Sequence, residues 1–137
     1  MTLAIVDTGP IYAITDLADR QHERCRQVLR RSDVRLVIPA LVVAEATYFI
    51  GRRLGPAAEA AFLRGLAGLD VEAPAPADWP RIAELVERYG DFPLGGTDAS
   101  VVALAERLDT DLVITLDVRH FGAVRPRHCP AFRLLPE

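Results

Sequence analysis

Two short β-branched runs near opposite ends of the chain each lead into an aspartate. Leu3-Ala4-Ile5-Val6 delivers Asp7, and Leu112-Val113-Ile114-Thr115-Leu116 delivers Asp117. An uncharged apolar run bounded by turn residues reads as a buried strand. Taken alone, each acid reads as a turn residue closing its strand. Ligands of open α/β sheets bind outside the carboxyl ends of the strands, however, so two strands ending in aspartate point to a shared functional edge. Two more acids stand where helical spacing places them on apolar faces. Glu45 has Leu41 and Val42 one turn back and Tyr48 and Phe49 one turn on, in the middle of an apolar stripe. An unpaired charge there is expensive, and the arginines Arg52 and Arg53 lie about two turns further along. Asp98 precedes Val101, Val102 and Ala105 by three, four and seven residues, so it begins a buried stripe, with Thr97 as the expected helix cap. A first-turn acid also gains about 0.3–1 kcal/mol from the helix dipole.

If Asp7, Glu45, Asp98 and Asp117 converge, their mutual repulsion needs an answer. Two carboxylates about 4 Å apart repel by roughly 4 kcal/mol at an effective dielectric near 20. Either some are protonated or a divalent cation neutralises them. Hard oxygen ligands without helpful histidine or cysteine spacing select magnesium or manganese. Such a cation, with its waters, suits phosphodiester hydrolysis, because it acidifies bound water and offsets charge on the phosphorus. The hydroxyls of Thr8 and Thr115 read either as holders of a metal-bound water or a phosphate oxygen or, as is more common for such threonines, as ordinary strand-end packing. Asp91 is a weaker candidate, since Gly90 and Pro93 explain its loop as a turn.

The elements that must position these groups follow from periodicity. Leu3 to Val6 is a strand, Pro10 suits the first turn of a helix, and Asp19 to Arg31 continues helically with Cys25, Val28 and Leu29 on one face. Arg35 to Ile38 is a second strand. Pro39 opens a long helix to Leu54, stopped by Gly55-Pro56, and an alanine-rich helix spans Ala57 to Leu66. Val71 to Ala73 is a weak strand, and Ile82, Leu85 and Val86 mark another helix. Thr97 to Leu108 is a helix, Leu112 to Leu116 a strand, and Phe132 to Leu135 an edge strand. Alternating strands and helices imply a mainly parallel sheet covered on both faces. Ile11, Ile14 and Leu17, with Tyr48 and Phe49, are apolar enough for a groove or a dimer face.

Composition narrows the chemistry. At 137 residues, 50% of them hydrophobic, the chain reads as one domain with a core of its own. No apolar stretch approaches the roughly 20 residues of a membrane span, and no basic segment precedes the first apolar run, so a cytoplasmic protein is expected. Cys25 and Cys129 form no CxxC pair, which argues against a cysteine-rich zinc site or redox dithiol. All 16 basic residues are arginine. A P-loop, a phospho-acceptor receiver domain or a Schiff-base enzyme would each want a lysine. The net charge of -3 supplies no general attraction for nucleic acid, so an RNA partner must be held by local arginines or by metal. Arg52 and Arg53, leaving the Glu45 helix together, and Arg119, after the fourth acid, are the best placed for bidentate phosphate contacts.

The segments AIVDTGP, PALVVAEATYFIGRRLG, DFPLGGTDASVVALAERL and VITLDVRHFGAVRP, in this order and spacing, resemble a PIN-domain ribonuclease of the VapC toxin branch. The resemblance spans essentially the whole chain. It implies a three-layer α/β fold with a mainly parallel five-stranded sheet flanked by helices. It also implies Asp7, Glu45, Asp98 and Asp117 as the acids holding Mg2+ or Mn2+, and Thr115 near the phosphate. As partners it implies an RNA substrate, a second copy in a homodimer and a small VapB-like antitoxin. Gly95-Gly96-Thr97 departs from the more apolar approach to the third acid in relatives. Three alternatives have a basis in the residues. Asp7-Thr8-Gly9 is also the aspartic-protease triplet, but that fold is nearly all β. Haloacid-dehalogenase-type phosphotransfer wants a second aspartate where Gly9 stands. A degenerate module that grips RNA or protein without cutting would have no reason to keep four acids.

Overall fold

The computed structural model describes residues 1–137 as five strands and seven α-helices. β1 (Thr2–Val6) leads into α1 (Thr8–Thr15) and α2 (His22–Leu29), then β2 (Val34–Pro39). α3 (Ala40–Leu54) and α4 (Pro56–Gly65) follow, a 3-10 turn closes at Gly68, and β3 (Val71–Glu72) lies beyond it. α5 (Asp78–Arg88) and α6 (Gly96–Arg107) precede β4 (Leu112–Ile114), α7 (Val118–Ala123) and β5 (Arg133–Leu135). The sheet has the order β3-β2-β1-β4-β5, and every neighbouring pair is parallel. The α/β class and the five parallel strands agree with the sequence reading, and a parallel sheet removes the aspartic-protease alternative.

The order of the strands creates the site. The chain leaves β1 toward β2 and β3, then returns across the sheet to place β4 on the other side of β1. The connections from β1 and from β4 therefore diverge, and a crevice opens at their carboxyl ends. Val6 pairs with Ile114, and the Asp7 N–H donates to the Ile114 carbonyl at 2.9 Å, so both acid-bearing turns leave the sheet at one level. Ala4, Ile5, Val6, Val113 and Ile114 are fully buried and anchor these ends.

Several boundaries differ from expectation for local reasons. The first helical region is broken between Thr15 and His22, where the Asp16 and Asp19 carboxylates accept from the N–H groups of Ala18 and Gln21. Such Asx turns compete with the helix. α3 ends at Gly55, whose φ of 90° is open to glycine at no steric cost. β4 stops at Ile114, and α7, a single short element, was not expected. Six residues are too few to display a helical period. The cap of α6 is Gly95, not Thr97, whose carbonyl instead accepts from the Ser100 hydroxyl at 2.6 Å inside the helix. Residues Ala99 to Ala105 are all buried, so α6 is an internal helix rather than an amphipathic one. Of the proposed apolar face, Ile11 belongs to the core, whereas Leu17 is 86% exposed and Tyr48 is exposed as well.

α5 is clamped to α6 by charge. Arg81, 8% exposed, donates bidentately to Glu106 at 2.9 and 2.8 Å and to Glu84 at 2.7 Å. One turn away Arg107 donates to Asp78 at 2.8 Å. Burial works to raise the Glu106 carboxyl, but the Arg81 fork and the Arg127 N–H outweigh it and hold the group below the usual range.

Candidate active site

The four acids predicted from sequence line one cleft of about 490 Å³, together with Thr8, Gly9, Tyr12, Asp19, Phe49, Arg53 and Leu116. Asp7 caps α1 at the end of β1, and only 6% of its surface is exposed. Its Oδ2 accepts from the Thr115 hydroxyl at 2.7 Å. The Thr115 oxygen in turn accepts from the Asp117 N–H at 2.9 Å. Thr115 is 1% exposed and its hydroxyl is committed to these two partners. It joins the first and fourth acids through these two bonds.

Burial pushes the Asp7 carboxyl up to about 6, with the charges of Asp98 and Glu45 adding to it and the Thr115 and Thr8 hydrogen bonds opposing. Asp98 is also raised, first by burial and then by the charges of Asp117 and Glu45. It sits at the third residue of α6, from which a carboxylate reaches back to the Gly95 N–H and recovers part of that cost. Glu45 is half-buried. The buried stripe of α3 runs through Val42, Ala46 and Ile50, so Glu45 stands on its flank and reaches the cleft without a buried arginine partner.

His120 escaped the sequence reading. Asp117 caps α7 by accepting the His120 N–H at 3.0 Å, and its carboxylate also meets the His120 Nδ1 at 2.8 Å. The Nε2 on the other side lies 2.7 Å from the Phe92 carbonyl. Both ring nitrogens thus face oxygen acceptors, which only the doubly protonated ring satisfies. The Asp117 hydrogen bond, against some desolvation, raises the group accordingly. The available signal was Asp-x-x-His at the start of a helix, too common to single out. Asp19, which joins the cleft from the turn before α2, was likewise missed.

The arginines separate. Arg53 lines the cleft with its guanidinium 5.0 Å from the centres of the Tyr12 and Phe49 rings. Arg119 is exposed and stacks on Phe92 at 5.2 Å, next to His120 but outside the cleft lining. Arg52 is exposed and Asp91 lies in an exposed turn, and neither lines the cleft.

A family model for the PIN domain matches residues 4–125. The chain belongs to the PIN-domain family. This PIN domain is 37% identical over 134 residues to "Ribonuclease VapC26" of Mycobacterium tuberculosis, covering 96% of this chain and 99% of that protein. Its fold is similar to that of M. tuberculosis VapC20, a sarcin-ricin-loop-cleaving toxin, with a TM-score of 0.75 and 18% identity over 80% of this chain and 86% of that one. It also resembles the DNA-bound VapBC of Salmonella typhimurium, with a TM-score of 0.70 and 20% identity over 98% and 97% of the two chains. VapBC2 of Rickettsia felis, bound to a promoter DNA fragment, matches with a TM-score of 0.70 and 14% identity over 97% of each chain. No helix of the PIN domain is long and apolar enough to cross a membrane.

The residues fit a hard divalent cation. Every donor of the acid set is a carboxylate oxygen, and the burial of Asp7 is costly without a positive partner. No three His, Cys, Asp or Glu side chains stand close enough together to enclose an ion by themselves.

The burial of Asp7 has a consequence for stability. An acid raised in the folded state stabilises the fold fully below its unfolded value of 3.8, and that contribution is lost as pH rises through about 6. At about 1.4 kcal/mol per unit, the loss amounts to about 3 kcal/mol as an upper figure. Asp7→Asn retains an oxygen for the Thr115 hydroxyl and cannot ionise. In metal-free buffer it melts above the wild type at pH 7.5, and the gap closes toward pH 4. Parallel melting curves for the two proteins across that range would expose an error in this assignment.

Proposed function

We propose that this chain is a divalent-metal-dependent endoribonuclease, the toxin of a type II toxin–antitoxin pair. The observation that carries the reading is the lining of one crevice by Asp7, Glu45, Asp98 and Asp117, at the carboxyl ends of β1 and β4 and on the helices beside them. These four acids, with waters completing the shell, would hold Mg2+ or Mn2+. When bound, the cation supplies acidified water and neutralises charge developing at phosphorus.

The remaining work belongs to side chains that orient the acids. Thr115 holds the Asp7 carboxylate and the Asp117 backbone in one geometry through two hydrogen bonds. His120 fixes Asp117 from the opposite side and balances one of the negative charges. Arg53, whose guanidinium is restrained by two aromatic rings, presents an arginine of the cleft lining to an incoming phosphate. Arg119 and Arg52 extend this contact along the strand. The ribonuclease name of the 37% identical relative supports the activity. The VapBC complexes among the fold relatives support a VapB-like antitoxin as partner. A homodimer and a cytoplasmic location complete the reading.

Incubation with total cellular RNA in magnesium, beside a chelator control, followed by mapping of the cut ends, tests it. Metal-dependent cuts at a restricted set of sites are expected. Intact RNA in both reactions sinks the reading. For the phosphate contacts, Arg53→Ala combined with Arg119→Ala weakens RNA binding and lowers the salt slope by roughly one to two. Metal affinity stays as in the wild type. An unchanged slope in the double variant would place the RNA path elsewhere.

A further inference from the structure

One polar group in the cleft is used by nothing described so far. The Thr8 hydroxyl is 6% exposed and has no hydrogen-bond partner, the one buried side-chain polar atom of the chain in this state. Helical threonines commonly satisfy the hydroxyl on a carbonyl of the preceding turn. Thr8 is the first residue of α1, so no preceding turn exists. Thr8 is one of the residues that line the acid cleft, its hydroxyl buried at the wall.

The backbone beside it is open too. A helix start leaves its first N–H groups without intrahelical partners. The Asp7 side chain caps none of them in the usual way, the first turn holds no acid, and the third residue, Pro10, has no N–H. The Thr8 N–H turns toward the Asp7 carboxyl. The Gly9 N–H finds no partner among the turns, loops and caps. A hydroxyl and an amide therefore stand side by side at the positive end of an eight-residue helix, in a cleft whose other walls are acidic. A cation gains nothing from that end, whereas an anionic oxygen is matched there.

Resting on the nuclease reading, we propose that the Thr8 hydroxyl, with the Gly9 N–H beside it, binds a non-bridging oxygen of the RNA phosphate under attack. The start of α1 then fixes the phosphate oxygen directly beside Asp7, the first of the acids. The hydroxyl stays unpaired in the free protein because its partner arrives with the substrate.

Thr8→Val keeps the shape and removes the donor, and Thr8→Ser restores the donor with less bulk. RNA binding is measured by fluorescence anisotropy in magnesium with both changes placed on the Asp98→Asn background, so that the RNA stays uncut. Oligonucleotides carry oxygen or either phosphorothioate diastereomer at the mapped cleavage link. Loss of one hydrogen bond to a charged oxygen weakens binding of the oxygen RNA about tenfold or more in Thr8→Val. The same change removes the parent's discrimination against one diastereomer, and Thr8→Ser recovers both. Thr8→Val also melts no lower than its parent, because it deletes an unpaired buried hydroxyl. Parent-like affinity and discrimination in Thr8→Val overturn the proposal, as does a fall in melting temperature that accounts for the lost binding. Failure of the wild type itself to cut RNA in magnesium would defeat the nuclease reading and this proposal with it, whereas wild-type cutting with an indifferent Thr8→Val defeats this proposal alone.

Discussion

Asp98→Asn lowers RNA cleavage by about 100-fold or more while the protein stays folded. The expected size follows from the several kcal/mol of charge stabilisation that metal-assisted hydrolysis supplies, at about 1.4 kcal/mol per factor of ten. The substitution keeps the shape of the side chain at the third residue of α6 and removes its charge. Burial and the charges of Asp117 and Glu45 oppose ionisation of Asp98, so neutralising it relieves repulsion in the metal-free protein. Against this stands a loss of about 0.3–1 kcal/mol of helix-dipole interaction. The net change in stability is therefore small, and it separates the catalytic effect from misfolding. Cleavage rates, a calorimetric magnesium or manganese titration and a thermal melt on one preparation provide the check. Metal binding should weaken together with the loss of activity. Cleavage at the wild-type rate would remove Asp98 from the mechanism.

Arg81→Ala is expected to destabilise the fold by about 3–5 kcal/mol, because it leaves the Glu106 carboxylate in a low-dielectric setting without its bidentate partner. For a chain of this size that corresponds to a fall in melting temperature on the order of 10 °C. Glu106 retains only the Arg127 N–H, at 2.8 Å, and its carboxyl should then rise from its depressed position. Combining Arg81→Met with Glu106→Gln removes the stranded charge and recovers part of the loss. Glu106 lies eight residues beyond Asp98 on the same helix, about 12 Å along the axis. At low temperature the surviving folded fraction should therefore keep its metal affinity. Urea unfolding of the two variants beside the wild type measures the difference, and a cost below about 1 kcal/mol for Arg81→Ala would show the clamp to be solvated.

The parts of the site legible in the sequence were those that depend on short-range pattern. The runs before Asp7 and Asp117 were apolar and β-branched on both faces, as buried parallel strands must be, and they read as strands at once. The acids stood out because carboxylates next to such runs, or along apolar helical faces, are costly without a reason. The chain's lack of lysine and its carboxylate-rich set narrow the chemistry by themselves.

Tertiary structure decided the rest, because the deciding contacts join residues far apart in the chain. The Thr115–Asp7 hydrogen bond spans 108 residues, and the His120–Phe92 contact spans 28. No periodicity carries such information, so the bond from Thr115 to Asp7 and the placement of His120 beside Asp117 are visible only in the folded chain. Helical spacing also reports a face without its depth. Glu45 was placed in the centre of an apolar stripe, whereas packing centred that stripe on Val42, Ala46 and Ile50 and left Glu45 at the flank. The same limit applies to Arg52 and Arg53, adjacent in sequence, of which only Arg53 reaches the cleft. Residue types and local order determined which groups are available for chemistry. The return of β4 to the side of β1 determined which of them meet, because strand order is set by long-range packing and not by the residues of any one strand.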